Sequence, residues 1–187
     1  MLQDLVDAIE KLIDSHLNEL HTAIPAEIIE FDAKKCTASV KPWGKMVLTN
    51  GSDLTYPQLN DVPVIFPRGG GQDTVIVYPV KKGDGCLLIM SEQALDYWKS
   101  SGVQNSEMKY SLSNAVAIPG LFAKPVGDVE EAVKKDSIIV RNGNTSIKVS
   151  RSNITIRGDV EVEGNLTTSK KITGLQGVYN ASGEITR

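Results

Sequence analysis

Aromatic residues are scarce in this chain. They make up 5% of it, and from Ala123 to the C-terminus the single one is Tyr179. A monomeric β-sandwich normally fills its core with several such rings, so the C-terminal third is not built as an ordinary two-layer core. Histidine is just as rare. His16 and His21 both lie near the N-terminus, far in sequence from any Ser or Asp that would complete a nucleophilic triad. Their five-residue separation is not the i, i+4 spacing of paired ligands, and HExxH, CxxC and DxDxDG patterns are missing. "RGGGQDT" (Arg68–Thr74) lacks the GK[ST] ending of a phosphate loop and reads as a hairpin. Glu161 and Glu163 alternate with Val160 and Val162, which turns them to solvent rather than into a glycosidase cleft. The expectation is a protein that is not an enzyme, with no catalytic residue, no metal ligand and no cofactor.

Other absences narrow the class further. Two cysteines, Cys36 and Cys86, do not make a disulfide framework. Both read as buried free thiols of a chain made in a reducing cytoplasm. The N-terminal stretch "MLQDLVDAIEKLIDSHLNELHTA" is acidic and broken by charges, unlike a signal peptide. No segment approaches the ~20 apolar residues of a membrane helix. The sequons at Asn144, Asn153, Asn165 and Asn180 read instead as Asn in tight β-turns. The net charge is −3, with residues 134–187 at +4 and residues 1–133 at −7. The electrostatic term that dominates nucleic-acid binding is therefore missing from the larger part of the chain.

What is present falls into four pieces. Residues 1–23 predict an amphipathic helix. Leu2, Val6, Ile9, Ile13 and Leu20 follow alternating four- and three-residue steps, His16 takes one slot of that seam, and Leu5, Leu12 and Leu17 widen it. Such a helix either packs on its own domain or bundles with copies or a partner. Pro25 ends the helix pattern. "AEIIEF", "CTASVKPW", "VPVIFP", "TVIVYPV" and "GCLLIMS" then give five strand candidates. "EQALDYWKSSG" reads as a short helix and "YSLSNAVAIPGL" as a last extended piece. This order over residues 24–122 suits a small Greek-key barrel of the oligonucleotide/oligosaccharide-binding (OB) type. The aromatics Phe31, Trp43, Tyr56, Phe66, Tyr78, Tyr97, Trp98, Tyr110 and Phe122 mostly sit beside Pro or at strand ends, not as a stacking platform. Residues 123–135 lack clear periodicity and read as a linker.

From 136 to 187 the pattern becomes repetitive. Ile138/Val140, Ile147/Val149, Ile154/Ile156 and Val160/Val162 each place two β-branched residues on one face, and Leu166 and Ile172 continue the row. Glycines punctuate these strands without a fixed period, so a hexapeptide solenoid and the acyltransferases built on it fit poorly. A row this thin needs a second layer from elsewhere. Another chain can supply it, and in the three-chain needle that the family resemblance given below implies, these ten residues fill a narrow axial core. Roughly eight strands at ~4.8 Å make a rod on the order of 40 Å, longer than a ~30 Å hydrocarbon core.

Specific residues carry a family resemblance over roughly 24–121. In order they are Asp61-Val62-Pro63-Val64, Pro79-Val80 with Gly83-Asp84, Ser91-Glu92, Asp96 with Trp98, and Ala117-Ile118-Pro119-Gly120. The segment resembles the barrel of short central-spike proteins of contractile phage tails and related bacteriocins. The resemblance implies a mainly β protein with an OB-fold collar and a C-terminal intertwined trimeric β-helix. It implies a homotrimeric needle at the baseplate tip of a virion or phage-tail-like particle, meeting the tail hub through its helix and barrel and touching the bacterial envelope mechanically. Relatives often end in an apex where His-x-His pairs hold iron. Here no histidine follows His21, so the expected apex is metal-free, completed by further sequence, or capped by a separate tip protein. The competing reading is a monomeric OB-fold binding module with a tail.

Overall fold

Alternation of apolar and polar residues decides which strands share the first core. The protein, seen in a computed structural model, is described over residues 2–47, 51–96, 108–174, 177–180 and 183–184. It divides into two units, Met1–Pro125 and Val126–Arg187.

The first unit opens with α1 (Leu2–Glu19). The strands that follow are β1 (Ala23–Asp32), β2 (Thr37–Pro42), β3 (Lys45–Val47), β4 (Asp53–Thr55), β5 (Leu59–Pro63), β6 (Arg68–Gly69), β7 (Thr74–Val75), β8 (Gly85–Met90) and β9 (Ala115–Pro119). Five of them form one antiparallel sheet in the order β5-β2-β1-β8-β9. The sheet curls so that its two edges meet. Val64, just past β5, bridges Ala117 of β9 in parallel, and the Ile65 N–H donates to Ala117 O at 2.9 Å. The result is a five-strand half-barrel.

Every second residue of these strands points inward, as a period of two requires. Ile24, Ala26 and Ile28 meet Ala38 and Val40, Val62 and Val64, Cys86, Leu88 and Met90, and Ala115 and Ala117. Alanine at 26, 38, 115 and 117 leaves room for fully buried Ile28, Val40 and Leu88, the small-and-large mixture that a narrow barrel interior needs. β1 bulges between Ile28 and Glu30. There the Ile28 N–H turns to Asp84 O and the Gly83 N–H to Ile28 O, both at 2.8 Å. Gly83 takes φ +90, a conformation that glycine adopts without a Cβ clash.

Two parts of this unit differ from the sequence reading. The strand expected over 74–80 is paired only at Thr74–Val75. The Ile76 N–H still reaches Pro67 O at 3.0 Å, but Pro67 has no N–H to return, so the ladder stops. The β3–β4 hairpin was not anticipated at all. Of the helix expected over 92–102, Leu95 and Asp96 are helical, and Tyr97 onward lies outside the described residues.

The segment read as a linker, 123–135, contains a helix where the second unit begins. α2 (Gly127–Lys134) occupies most of that segment. Asp128 and Glu130 in the first turn and Lys134 in the last oppose the helix dipole favourably, and Glu130–Lys134 and Glu131–Lys135 are i, i+4 ion pairs. Then come β10 (Ile138–Asn142), β11 (Thr145–Val149) and β12 (Ile154–Arg157), an antiparallel meander. Two short strands, β13 (Tyr179–Asn180) and β14 (Gly183–Glu184), pair with each other. No β-helix is formed by the described residues of this single chain. Val160, Val162, Leu166 and Ile172, expected in strands, lie in irregular backbone, where no strand among the described residues pairs with them.

Candidate assembly surfaces

The meander is amphipathic in an unusual sense. Cross-strand partners line up as Val140–Ile147–Ile156 and Ile138–Val149–Ile154, so six branched residues share one face in two rows of three. That face is open: Ile138 is 67% exposed, Val140 65%, Ile154 64%, and Ile147, Val149 and Ile156 are also exposed. The other face carries Ile139–Lys148–Thr155 and Arg141–Ser146–Arg157, and α2 engages it through charge. Lys148 Nζ donates to Glu131 Oε1 at 2.7 Å and Arg141 Nε to Asp128 Oδ2 at 2.7 Å. Hydrogen bonds from Lys148, then Lys135, hold the Glu131 carboxyl far down, from 4.5 to about 2. A half-buried sheet ordinarily turns its apolar face to the covering helix. Here the covered face is the polar one. Val160, Val162, Leu166 and Ile172, beyond the strands, are exposed as well.

α1 presents a second uncovered stripe. Leu2, Val6, Ile9, Ile13 and Leu20 are all exposed, as are the flanking Leu5, Leu12 and Leu17. The sequence left open whether this helix packs on its own domain, and in the single chain it does not.

Within the half-barrel, the sequence reading missed one buried polar residue. Asn114 is 2% exposed. Its Oδ1 accepts from the Leu95 N–H at 2.8 Å, and its Nδ2 donates to Ser91 O at 2.9 Å and Gln93 O at 2.7 Å. It pins the 91–95 loop beside β9. A lone Asn in "LSNAV" looks like a turn residue, so only its burial reveals the role. Residues 24–120, from the first buried residue of β1 to the glycine after β9, match the family described as phage protein Gp138 N-terminal domain. The chain belongs to this family. No curated protein matches it.

Within the Gp138 N-terminal domain, the residues that suggested a phage relative serve the half-barrel itself. Val62, Val64 and Ala117 are buried where its edges meet. Gly83 and Asp84 anchor the β1 bulge, and Asp84 Oδ2 also accepts from the Lys81 N–H at 2.7 Å. Ser91 accepts from Asn114 and from the Tyr110 N–H. Trp98 lies outside the described residues. Phe31, Phe66 and Tyr78 form an edge-to-face chain with centroids 6.4 and 5.3 Å apart, and His21 meets Tyr56 edge-on at 5.7 Å. Burial lowers the His21 pKa. Trp43 and Phe122 stay exposed and border a cleft of about 310 Å³ with Pro25, Gly83 and Leu121. Cys86 is buried as expected, but Cys36 is exposed. It sits in the β1–β2 turn with φ 56, where its Sγ contacts Val64 O at 3.4 Å.

Proposed function

We propose that this Gp138-family protein is the central spike of a contractile tail, a homotrimer whose C-terminal segments wind into one needle that is driven through the bacterial envelope when the sheath contracts. The barrels form a collar of the OB type. The supporting topology is specific: a first strand paired to the second and fourth of five, and a closing parallel contact between the third and fifth, which is the arrangement of that barrel class. The protein works mechanically, without catalysis or a cofactor, as part of a virion or tail-like particle. Hub and baseplate contacts run through α1 and the barrel.

The observation that carries the proposal is the bare 2 × 3 apolar face of the meander, with its polar face already occupied by α2. A soluble chain does not expose so regular an apolar surface without a use for it. Threefold symmetry brings the three equivalent faces together about one axis, each supplying the layer the others lack. Branched side chains fill such a narrow core where rings would not fit. Neighbouring chains then pair the segments 158–174, and the free strand edges disappear.

The test is the mass in solution by light scattering, repeated in SDS without boiling. A mass near three times 20.2 kDa that survives detergent supports the spike. A monomer overturns it and returns the protein to the second reading, a binding module, which the Trp43–Phe122 cleft favours.

A further inference from the structure

The α1 seam contains one residue that is out of place. Positions 2, 6, 9, 13, 16 and 20 alternate four- and three-residue steps without a break, the spacing of a coiled-coil seam. Five are aliphatic and the sixth is His16. All six seam residues are exposed in the single chain.

Two features point to further copies of α1 as the covering surface. Val6, Ile13 and Leu20 occupy one set of seam positions and Leu2, Ile9 and His16 the other. Isoleucine in both sets favours assemblies of more than two helices. Leu12 and Leu17 are five residues apart, and in a parallel bundle those two positions on neighbouring helices face each other beside the seam. They make a Leu–Leu contact at the height of His16. The acidic residues Asp4, Asp7 and Asp14 fall outside the seam.

In a threefold assembly each axial residue meets its own two copies at the same height. His16 therefore becomes three converging imidazoles. The layer above is Ile13, the layer below is Leu20, and the flanks are Leu12 and Leu17. Polar rings in so apolar an enclosure are costly unless something partners them. Three imidazole nitrogens plus one water complete the tetrahedral set that Zn²⁺ prefers, at ~2.0–2.1 Å. Within one chain, no described cluster of His, Cys, Asp and Glu is placed to hold a metal ion, which fits a site that exists only when three chains meet.

We propose that His16 from three chains forms a divalent-metal layer, suited to Zn²⁺, inside a parallel bundle of α1 helices. The inference rests on the trimer proposed above. The layer locks the register of the three helices at the head of the molecule and makes bundle strength depend on the metal.

The experiment uses the full chain. Its mass is measured first, then Zn²⁺ is titrated by calorimetry into the metal-stripped protein. The expected result is one Zn²⁺ per three chains, with binding at least tenfold weaker in His16→Ala and unchanged in His21→Ala. His16→Ile, which makes the seam wholly aliphatic, should remove Zn²⁺ binding and raise the melting temperature measured in chelator. A trimer that binds no Zn²⁺, binds one per chain, or binds equally well as His16→Ala overturns the metal layer and leaves the spike reading intact. A monomer overturns the spike reading, and the layer with it. Ile9→Asp with Ile13→Asp should also abolish Zn²⁺ binding. If binding persists, α1 does not pair with its copies and the inference fails.

Discussion

Lys148 Nζ lies 2.7 Å from Glu131 Oε1, tying the middle strand of the meander to a helix on the side opposite its branched residues. Lys135 reaches the same carboxylate oxygen at 3.0 Å. Two ammonium groups therefore hold one carboxylate, and the face that α2 covers is chosen by charge.

This pairing is pH-sensitive in one direction. The folded Glu131 carboxyl titrates near 2 against an ordinary 4.5. Its stabilisation is complete above about pH 4.5 and is lost as pH falls toward 2. Hydrogen exchange of the 127–134 amides should accelerate across that window, and Glu131→Gln should exchange fast throughout it. Because the carboxylate is solvent-accessible, high salt should reproduce part of the effect at neutral pH.

The open face gives the sharpest assembly test. Val140→Asp or Ile147→Asp puts a charge into the proposed axial core, where an unpaired carboxylate is costly. Either should reduce the mass from three chains to one in light scattering. Thr155→Asp, on the opposite face, should leave it unchanged.

Asn114 should be a stability hot spot with no visible surface effect. Asn114→Ala strands the Leu95 N–H and two carbonyls in a buried loop. A loss of roughly 2–4 kcal/mol is expected in urea unfolding of the barrel.

Gly85 tolerates no side chain. A Cβ built there meets Leu121 O at 1.7 Å, while the Gly120 N–H bonds Gly85 O at 3.0 Å. Gly85→Ala must push the strap after β9 outward, at a cost of about 1–3 kcal/mol. Quenching of Trp43 fluorescence by acrylamide should change with it, since both border the same cleft.

The two thiols should separate cleanly. Cys36 is exposed and should react with a thiol reagent in the native protein. Cys86 is 0% exposed and burial pushes its thiol up to about 11. It should react only in denaturant.

The half-barrel was legible because its strands are self-contained: alternation at Ile24–Ile28, Cys86–Met90 and Ala115–Ala117 states both the strand and its buried side. The apolar rows at 138–156 were legible for the same reason. α2 was not, because eight residues hold too few apolar positions to declare a period, and its partners are charges from strands up to 17 residues away in sequence. Asn114 was invisible since the 91–95 loop that supplies its three partners is brought to it only by the fold. The run at 74–80 misled because its composition is that of a strand, while the residue that ends its pairing, Pro67, sits on the other arm. Val160, Val162, Leu166 and Ile172 have strand-like sequence, but no strand among the described residues of their own chain pairs with them, so their pattern alone named a strand that the single chain does not form.

The meander's bare face has a consequence for how the protein is made. Its three strands are joined by two adjacent hairpins, so every pairing that builds it lies within residues 138–157 of one chain. A newly made chain is thus adhesive from the outset, and under the trimer proposed above its fate is a race between meeting two siblings and meeting anything else. Slow synthesis from messages carrying several ribosomes, which keeps siblings close, should give more soluble protein than a rapid burst.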